Sequence, residues 1–547
     1  MDECGAFGSF LHGNAAVRAV ADVSRATLFV PTDRVDGYLE GLELGIPLDS
    51  VKFLLHILMA MPLGMVHAKL PKGIVRHVYN LVVGVAVAQF LFETAWINVG
   101  VVGLMTRILL AILPRRSSGI ICFVVIMAYM VTSMFERLSC AWLSYKMDYT
   151  GAQMMATIKL TTFAWNYSDG KSGRSKKERA DELAKTIDDE KCGRYQDKAG
   201  KHKLKFQIVK LKSAWDEFPG LLTYFGWIYQ FSGYPVGPAI ELREYIRGCE
   251  TDSPSGSGPA LFKFLAGFVF LGSFQFLSSL FPIGSPAEWT CSFSDSCTPV
   301  DSSISSYGYL NLTGGSLLSS EFASTSFPRQ IVYLFAAGII VRMRYYFAWL
   351  TAEAAFNMAG FGYQAGCEKR SAFFGFFNEW NGMANVDILR IETSTDMGVM
   401  KDWNFKTQRW LVHAVYKRVN GSMQVRMLAT YVISALWHGL YPGYYITFIG
   451  AAFSSICLSG FYKKVPGRGK LFESTEGQGV MDMIGKIVKW FVTFAVLDFI
   501  VLGLLYLQME HVFNAQKAVG FYMYPMVIVL AVVFMFIPSG KKKRKTA

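Results

Sequence analysis

Two polar side chains in the second half of the sequence have the right chemistry for proton transfer inside an apolar environment. His438 lies in the run from Arg426 to Gly450, RMLATYVISALWHGLYPGYYITFIG, which is almost wholly apolar. An ionisable side chain at membrane depth is costly, so it is either functional or a neutral imidazole satisfied by a neighbouring helix. A neutral imidazole can accept the proton of a hydroxyl group, which makes His438 a candidate general base.

Asn404 is the second candidate, in the polar block Asp402-Trp403-Asn404, and His438 follows it by 34 positions. That separation fits a helix, a turn and a second helix, and antiparallel helices would bring both side chains to the same depth. A fixed carboxamide can hydrogen-bond a substrate or a developing oxyanion. His413 is the rival base, although Lys417 and Arg418 beside it indicate an interfacial helix.

The sequence lacks the motifs of several other kinds of enzyme chemistry. The sequence has no G-x-S-x-G elbow, which disfavours a covalent acyl-enzyme. It has no Walker motif, dinucleotide fingerprint or H-E-x-x-H. The nine cysteines are scattered without C-x-x-C or Cys/His metal spacing. We therefore expect neither a cofactor nor a metal, while Cys291 and Cys297 lie close enough in a polar loop to permit a lumenal disulfide.

The elements that position these residues are predicted to be membrane helices. The chain has 547 residues, of which 52% are hydrophobic and 15% aromatic, and its apolar runs recur near bilayer length. Since a span needs roughly 20 residues, the fold class is predicted to be all-α and polytopic, with roughly nine to twelve membrane segments. The clear runs are Val51–Met65, Val75–Trp96, Val101–Leu113, Ile120–Trp142, Leu261–Phe281, Gln330–Leu350, Val425–Leu440, Tyr444–Phe461, Ile487–Leu507 and Val519–Ile537. The net charge of +13 fits basic loops facing an anionic cytosolic leaflet, rather than a nucleic-acid partner.

Two stretches combine apolar and polar residues in a way that indicates burial within protein. In the first, Asp148 is expected to cap a helix carrying Gln153, Lys159 and Asn166, too polar for a lipid-facing helix. In the second, 218–246, the prolines and glycines forbid one long helix. Broken helices at membrane depth are tolerated where they are buried in protein or line a cavity.

The loops give the predicted topology. The densely charged segment 171–205 and the basic tail GKKKRKTA are predicted to be cytosolic. Residues 282–327 are rich in Ser, Thr and Gly and carry a glycosylation sequon at Asn311, which indicates the lumenal side. Residues 1–48 are predicted to lie at the membrane surface.

Five sequence blocks, taken in order, resemble the membrane-bound O-acyltransferase family, and most closely its lysophospholipid acyltransferase branch. The blocks are DYTG…M…K, the broken stretch ending GPAIELREY, RYYFAWLTAEAAFNMAGFGY, DWNFKTQRWLVHAVYKR and SALWHGLYPGYY. The N-terminal MPLGM…KLPKGIVRHVYN resembles the same branch, so the likeness covers about residues 45–510. After DWN, the spacing of Thr407, Trp410 and Leu411 departs from the pattern of the sterol and diacylglycerol branches.

The resemblance implies a site and a reaction. It implies that His438 is the catalytic histidine and Asn404 its paired asparagine, in a chamber among broken helices of a catalytic membrane domain over 49–510. Residues 511–547 would then be the last membrane helix and its tail. The hydroxyl of a lysophospholipid would attack acyl-CoA, a co-substrate, in the endoplasmic reticulum membrane. The expected substrate-binding residues are Trp403, Lys406, Arg409, Trp437, Glu353 and Tyr346.

Other interpretations stay open at this point. Lys406 and Arg409 are expected either to meet CoA phosphates or to anchor the membrane surface. The tryptophans are more often packing residues. The same Asn/His pair would serve acylation of a sterol, a diacylglycerol or a protein, and a transporter is a distant alternative. The partners expected are acyl-CoA, a lysophospholipid and membrane lipid, for either a monomer or a homodimer.

Overall fold

The computed structural model describes most of the chain. The described residues are 32–41, 48–140, 148–171, 176–191, 207–208, 210–281, 289–291, 297–299, 322, 324–365, 378–467, 469–473 and 479–537. Several predicted features therefore lie outside them: most of the surface segment 1–48, part of the charged loop, the Asn311 sequon and the basic tail.

The first half of the described chain is helical. Its helices are α1 (Thr32–Glu40), α2 (Leu48–Lys69), α3 (Ile74–Phe92), α4 (Ile97–Ile112), α5 (Arg115–Cys140), α6 (Tyr149–Ser168), α7 (Lys176–Lys191), α8 (Leu221–Ile228), α9 (Leu242–Glu250) and α10 (Ser257–Leu280). A 3₁₀ turn at Phe231–Gly233 lies between α8 and α9. Helix α7 lies within the charged segment 171–205.

The second half begins with a small two-stranded ribbon and then returns to helices. Strands β1 (Trp289–Cys291) and β2 (Cys297–Pro299) are antiparallel, with Cys291 opposite Cys297 in the register; their disulfide stays a prediction. The helices are α11 (Phe327–Met358), α12 (Ile388–Glu392), α13 (Phe405–Leu411), α14 (Met423–His438), α15 (Pro442–Cys457), α16 (Ser459–Lys464), α17 (Val480–Ile500), α18 (Leu502–Tyr506), α19 (Met509–Ala518) and α20 (Met523–Phe536). Asn378–Trp380 and Met397–Lys401 form 3₁₀ turns, and Val412–Tyr416 forms a π-helix.

The predicted all-α polytopic class is confirmed by the length and apolarity of these helices. Six described helical stretches can cross a membrane by both criteria, or seven if the bent pair α19 and α20 forms one span. The six are Leu48–Lys69, Ile74–Phe92, Arg115–Ser139, Ser257–Leu280, Phe327–Met358 and Val480–Tyr506. Helices α4, α14 and α15 have 16 residues each. They measure about 24 Å, less than the hydrocarbon thickness of about 30 Å. The six or seven full-length spans are fewer than the nine to twelve membrane segments predicted from the sequence. The predicted number is reached only if the shorter apolar helices are counted as well.

The polar helix α6 is buried within the protein, as its sequence predicts. Its cap is Asp148, whose side chain accepts a hydrogen bond from the Thr150 N–H at 3.0 Å. Gln153, Lys159 and Asn166 are each no more than 5% exposed. Helix α6 therefore contributes polar groups to the interior of the helical assembly.

The stretch 218–246 is broken and buried, which confirms the second prediction. Helix α8, the 3₁₀ turn and helix α9 replace a single long helix. The chain folds so tightly here that a Cβ on Gly237 would lie 2.3 Å from the Gly233 Cα. Burial of this stretch agrees with the rule that irregular backbone at membrane depth is covered by protein.

The region around the candidate catalytic residues is held by a small apolar cluster between α5, α6, α13 and α14. Its members include Met130, Ile158, Trp410 and Trp437. Two larger apolar clusters also contribute to the core. One is built mainly from α3 to α9 and the other mainly from α11 to α20. The small cluster therefore fixes the second helix of the predicted pair against α6.

Candidate functional site

His438 is the last residue of α14, and the following glycine explains why the helix stops there. Gly439 adopts a φ of +149°, a conformation that favours glycine. A Cβ at this position would lie 2.6 Å from the Tyr444 ring. Since α15 begins immediately beyond, at Pro442, the turn that presents His438 depends on the absence of a side chain.

The His438 ring is enclosed by aromatic side chains and has no hydrogen bond of its own. It stacks on Phe448, with ring centroids 4.7 Å apart and an angle of 27°. Trp437 meets it edge-on at 4.7 Å, and Tyr444 lies at 5.7 Å. Throughout the described residues, none donates to or accepts from its nitrogens. The partly buried ring is thus oriented by packing, and both nitrogens remain available to a substrate.

Asn404 occupies the cap position of α13 in an unusual backbone conformation. Its φ and ψ are +49° and +59°, a left-handed geometry that asparagine tolerates better than most residues. The chain is held here by Asn385, whose main-chain and side-chain oxygens accept from the Phe405 and Lys406 N–H groups. The Asn404 side chain makes no capping hydrogen bond. Such sparsely populated conformations cluster at functional sites.

The helical pair predicted from the Asn404–His438 spacing is present, with a π-helix inserted in it. Asn404 caps α13, the π-helix follows directly, and His438 ends α14. The Trp410 and Trp437 rings lie 6.0 Å apart. Trp410 donates to the Thr161 hydroxyl at 2.9 Å, and Trp437 donates to the Met154 carbonyl at 3.0 Å. Both elements are thereby tied to α6, although no hydrogen bond joins Asn404 to His438.

A cavity of about 80 Å³, lined by charged and apolar residues, lies beside α13. Lys406 and Arg409 both line it, together with Trp410 and residues of α6. Lys406 is bound to Glu244 at 2.8 and 3.0 Å, and Arg409 lies 3.8 Å from Glu241. Both predicted substrate-binding cations therefore reach a cavity, but each already has an acidic neighbour.

The Glu244 carboxyl shows how strong the first of these pairings is. Burial alone would raise the pKa of Glu244, but the charge and hydrogen bonds of Lys406 offset it and hold the pKa below its usual value. Glu244 is therefore ionised at neutral pH. Lys406 therefore forms a charged hydrogen-bonded pair with Glu244, which its position in the sequence did not predict.

His413, the rival base, also lines this cavity but has partners. Arg418 lies 3.3 Å from its Nε2, and Asp169 lies 3.9 Å away. Burial, followed by the charge of Arg418, lowers the pKa of His413 to about 4. Arg418 itself forms two hydrogen bonds with Asp169, at 2.6 and 3.2 Å, so this group has the contacts of an ion-pair cluster.

The remaining predicted substrate-binding residues are held by internal contacts and do not line the cavity. Trp403 packs against Trp349 at 4.8 Å, in a cluster with Tyr345 and Tyr346. The Tyr346 hydroxyl donates to Glu392 at 2.6 Å. These contacts are those of packing and structural hydrogen bonding.

Glu353 has the partner that its burial requires. Its carboxylate accepts from Lys263 at 2.6 Å, and Lys263 also donates to the Trp380 carbonyl and the Asn381 side chain. Glu353 is fully buried and Lys263 is 3% exposed. The structure thus gives Glu353 the surroundings of a structural ion pair between α10 and α11, whereas the resemblance implied substrate binding.

Sequence reasoning did not assign a function to Lys159, Asn166 or Glu241, which also line the cavity. The available signal was the spacing of Lys159 and Asn166, which lie seven residues apart on α6. Positions i and i+7 lie on the same helix face. The cavity that both residues line is formed only in the tertiary structure, where the segments 213–215 and 239–243 lie opposite them.

The fold and the site define a polytopic helical membrane protein with a histidine held at a helix end and no hydrogen-bond partner in the described chain. Residues 306–466, which include Asn404 and His438, match the family described as MBOAT, membrane-bound O-acyltransferase. This match confirms the predicted resemblance to the membrane-bound O-acyltransferase family and supports an O-acyltransferase enzyme.

Relatives matched over three quarters or more of this chain support the same resemblance. The chain is 26% identical over 531 residues to human membrane-bound glycerophospholipid O-acyltransferase 1, covering 92% of each chain. It is 23% identical to lysophospholipid acyltransferase 2 of Arabidopsis thaliana, over 92% of this chain and 97% of that one. It is 26% identical to lysophospholipid acyltransferase 6 of Drosophila melanogaster, over 75% of this chain and 51% of that one.

Proposed function

We propose that this protein is an acyl-CoA:lysophospholipid O-acyltransferase. It transfers a fatty acyl group to the free hydroxyl of a lysoglycerophospholipid, the reaction of phospholipid remodelling. The observation that carries the proposal is His438, oriented by aromatic packing and free of hydrogen bonds, in a chain whose relatives are named lysophospholipid acyltransferases.

In the proposed reaction, His438 acts as the general base. An imidazole nitrogen accepts the proton of the lysophospholipid hydroxyl while the hydroxyl oxygen attacks the thioester carbonyl carbon of acyl-CoA. The tetrahedral oxyanion collapses, the carbon–sulfur bond breaks, and the sulfur of CoA takes the proton back from His438. The products are a diacyl phospholipid and CoA, and no covalent acyl-enzyme forms.

The position of His438 suits this role because it ends a helix. Unpaired carbonyl groups give the C-terminal end of a helix a partial negative charge, which stabilises a nearby cation. The imidazolium that forms during proton transfer would be stabilised in this way. The aromatic side chains pack against the ring and keep its plane fixed.

Asn404 is proposed to donate its side-chain N–H to the oxyanion or to position the substrate hydroxyl. Its carboxamide is not used to cap α13, and the Asn385 contacts hold the backbone around it. A donor that is already oriented stabilises developing charge without reorganisation. Glu353 and Tyr346 are not given catalytic roles in this mechanism.

We further propose that residues 49–510 form the catalytic membrane domain and that the protein resides in the endoplasmic reticulum membrane. The basic tail would face the cytosol and the Asn311 loop the lumen, in agreement with the preference of basic residues for the cytosolic side. A glycosidase-sensitive mobility shift that disappears in Asn311→Gln would place this loop in the lumen. Modification of the tail by a lumen-restricted reagent would contradict the orientation.

The decisive experiment gives the purified protein labelled acyl-CoA and a panel of acceptors. We expect labelled diacyl phospholipid from one or more lysophospholipids, and only background with diacylglycerol, a sterol or an acceptor peptide. His438→Ala under the same conditions supplies the enzyme-dependent background. Transfer to a sterol, diacylglycerol or peptide in place of lysophospholipids would overturn the proposed acceptor class.

A further inference from the structure

The cavity beside α13 lies between elements that are distant in sequence. Its walls come from α6, the segment 213–215, the segment 239–243, α13 and the π-helix. Its volume of about 80 Å³ accommodates roughly six water molecules. Trp410 lines it and contacts Trp437, the neighbour of His438, so the cavity adjoins the element that presents the proposed base.

The cavity carries an excess of positive charge. Four basic side chains line it, while two acidic groups balance them: Glu241 in the wall, and Glu244 bound to Lys406. The net formal charge is therefore +2. The basic residues are Lys159, Arg243, Lys406 and Arg409. Low-dielectric walls lined by one sign of charge favour an anionic ligand.

Lys159 keeps one hydrogen-bond donor unused. Its ammonium donates to the Trp227 and Ile228 carbonyls at 3.2 and 3.1 Å, at the C-terminal end of α8. In its protonated form the ammonium group has three N–H donors, and only these two meet acceptors among the described residues. Lys159 is 5% exposed and lines the cavity.

Asn166 is an unpartnered polar side chain in the same wall. It lies two turns beyond Lys159 on α6, is 5% exposed, and its Oδ1 has no hydrogen-bond partner in the described residues. Its main-chain carbonyl is used, accepting from the Trp215 N–H at 2.9 Å. Its side-chain N–H groups likewise have no acceptor among the described residues, and these groups, unlike Oδ1, can donate to an anion.

The backbone of the opposite wall supplies an independent observation. His413 lines the cavity from the π-helix Val412–Tyr416. Single π-helical turns are rare and occur frequently at functional sites. Here the π-helix lies between Asn404 and His438 in sequence, and its insertion coincides with the cavity.

We infer that this cavity is a phosphate-ester subsite, in which the free N–H of Lys159 and the side-chain N–H of Asn166 donate to phosphate oxygens of a substrate. The inference rests on the proposed function, because both substrates of that reaction carry phosphate. The phosphate belongs either to the lysophospholipid or to CoA. Arg409, half exposed at the cavity, supplies further positive charge.

The principal test is Asn166→Leu, which keeps the shape of the side chain and removes its amide. Because the amide has no protein partner, the variant should unfold at the same temperature as the wild type or higher, while one substrate KM rises about tenfold or more. Lys159→Met should raise the same KM. Lys159 also caps α8, so Asn166→Leu carries the test if Lys159→Met does not fold.

The matched control is Gln89→Met. Gln89 is also 5% exposed with a partnerless Oε1, but it does not line the cavity. We expect both KM values of Gln89→Met to equal those of the wild type. A parallel KM change in Gln89→Met and Asn166→Leu would show that any buried amide has this effect, and would overturn the subsite.

Two kinetic comparisons identify which substrate carries the bound phosphate. If it belongs to the acceptor, the KM for lysophospholipid rises, while residual transfer to monoacylglycerol, which lacks phosphate, is equal in the variant and the wild type. If it belongs to the donor, the KM for acyl-CoA rises and equilibrium binding of CoA itself weakens by the same factor. Either result supports the inference, and unchanged KM values in both Asn166→Leu and Lys159→Met would overturn it.

Binding measurements keep this test separate from the proposed function. Absence of acyl transfer by the wild type would contradict the enzyme proposal. Weaker binding of CoA or of a lysophospholipid to Asn166→Leu would support the subsite even then. Equal binding of both probes to the variant and the wild type would contradict the subsite alone.

Discussion

At the residue scale, two histidines close in sequence have opposite surroundings. His413 contacts Arg418 and Asp169, and burial and the Arg418 charge keep it neutral. Among the described residues, His438 contacts aromatic rings and a glycine turn and forms no hydrogen bond, so its nitrogens can interact with a substrate. The choice between the two as a base therefore follows from their partners, which the sequence could rank only by apolar context.

Replacement of His438 should remove chemistry while the protein remains folded. For His438→Ala and His438→Gln we expect acyl transfer to fall by about 10²–10⁴, because the general base is lost. The measurement is turnover of purified protein at saturating substrates, with thermal unfolding recorded in parallel. His56→Gln, a buried histidine on α2, is the control for effects of histidine removal on folding. Near wild-type turnover by a folded His438 variant would refute its catalytic role.

The left-handed backbone of Asn404 allows its conformational and chemical roles to be separated. Asn404→Gly accepts the φ of +49° and removes the carboxamide, so stability should be kept while turnover falls by about 10²–10³. Asn404→Ala should lose similar activity and also some stability, because alanine is strained in this conformation. Thermal unfolding and turnover of both variants provide the measurements. An Asn404→Gly enzyme as active as the wild type would show that only the backbone geometry matters.

At the scale of elements, α6 is the support for the proposed site. Trp410 and Trp437 reach it from the two helices that carry Asn404 and His438, and each donates its indole N–H to α6. The same helix also presents Lys159 and Asn166 to the cavity. One polar helix buried among apolar ones thus positions both the proposed catalytic elements and the proposed subsite.

The turn after α14 offers a test of how strictly His438 is positioned. Gly439→Ala would place a methyl group against the Tyr444 ring and strain a φ of +149°. We expect a destabilisation of about 1–3 kcal/mol and a fall in turnover larger than any change in KM, because the histidine is displaced. The measurements are unfolding temperature and steady-state kinetics. Gly272→Ala on α10, where a Cβ meets nothing within 4 Å, is the control and should leave turnover unchanged.

At the scale of the whole molecule, ion pairs join elements that are far apart in sequence. Lys263 joins α10 to α11 through Glu353, and Arg342 joins α11 to Glu392 and Asp498. Lys406 joins α13 to α9 through Glu244. Since charges inside a membrane protein require partners, these pairs constrain how the helices can assemble.

The Lys263–Glu353 pair distinguishes a structural role of Glu353 from substrate binding. Lys263→Met leaves a buried carboxylate without its cation, and we expect destabilisation of about 3–5 kcal/mol. The double variant Lys263→Met/Glu353→Gln should recover part of this loss, since the uncompensated charge is gone. Thermal unfolding in detergent is the measurement. A Glu353→Gln protein of normal stability with a raised KM would instead favour substrate binding.

Much of the fold could be read from local pattern. Apolar runs predicted the membrane class, Asp148 predicted the start of α6, and the prolines and glycines of 218–246 predicted a break. These features depend on residues within a few positions of one another. The number of full spans was less predictable, because α4, α14 and α15 are apolar but only 16 residues long.

The sequence by itself determined the helical membrane class, the family likeness, and His438 with Asn404 as the candidate pair, because these rest on composition and short motifs. The tertiary structure alone decided which polar residues face one another. It placed Lys263 on Glu353, Glu244 on Lys406, and Lys159 with Asn166 at one cavity. The physical reason is that a buried polar group is satisfied by whichever partner packing brings within about 3 Å, and such partners here lie 90 to 162 positions away.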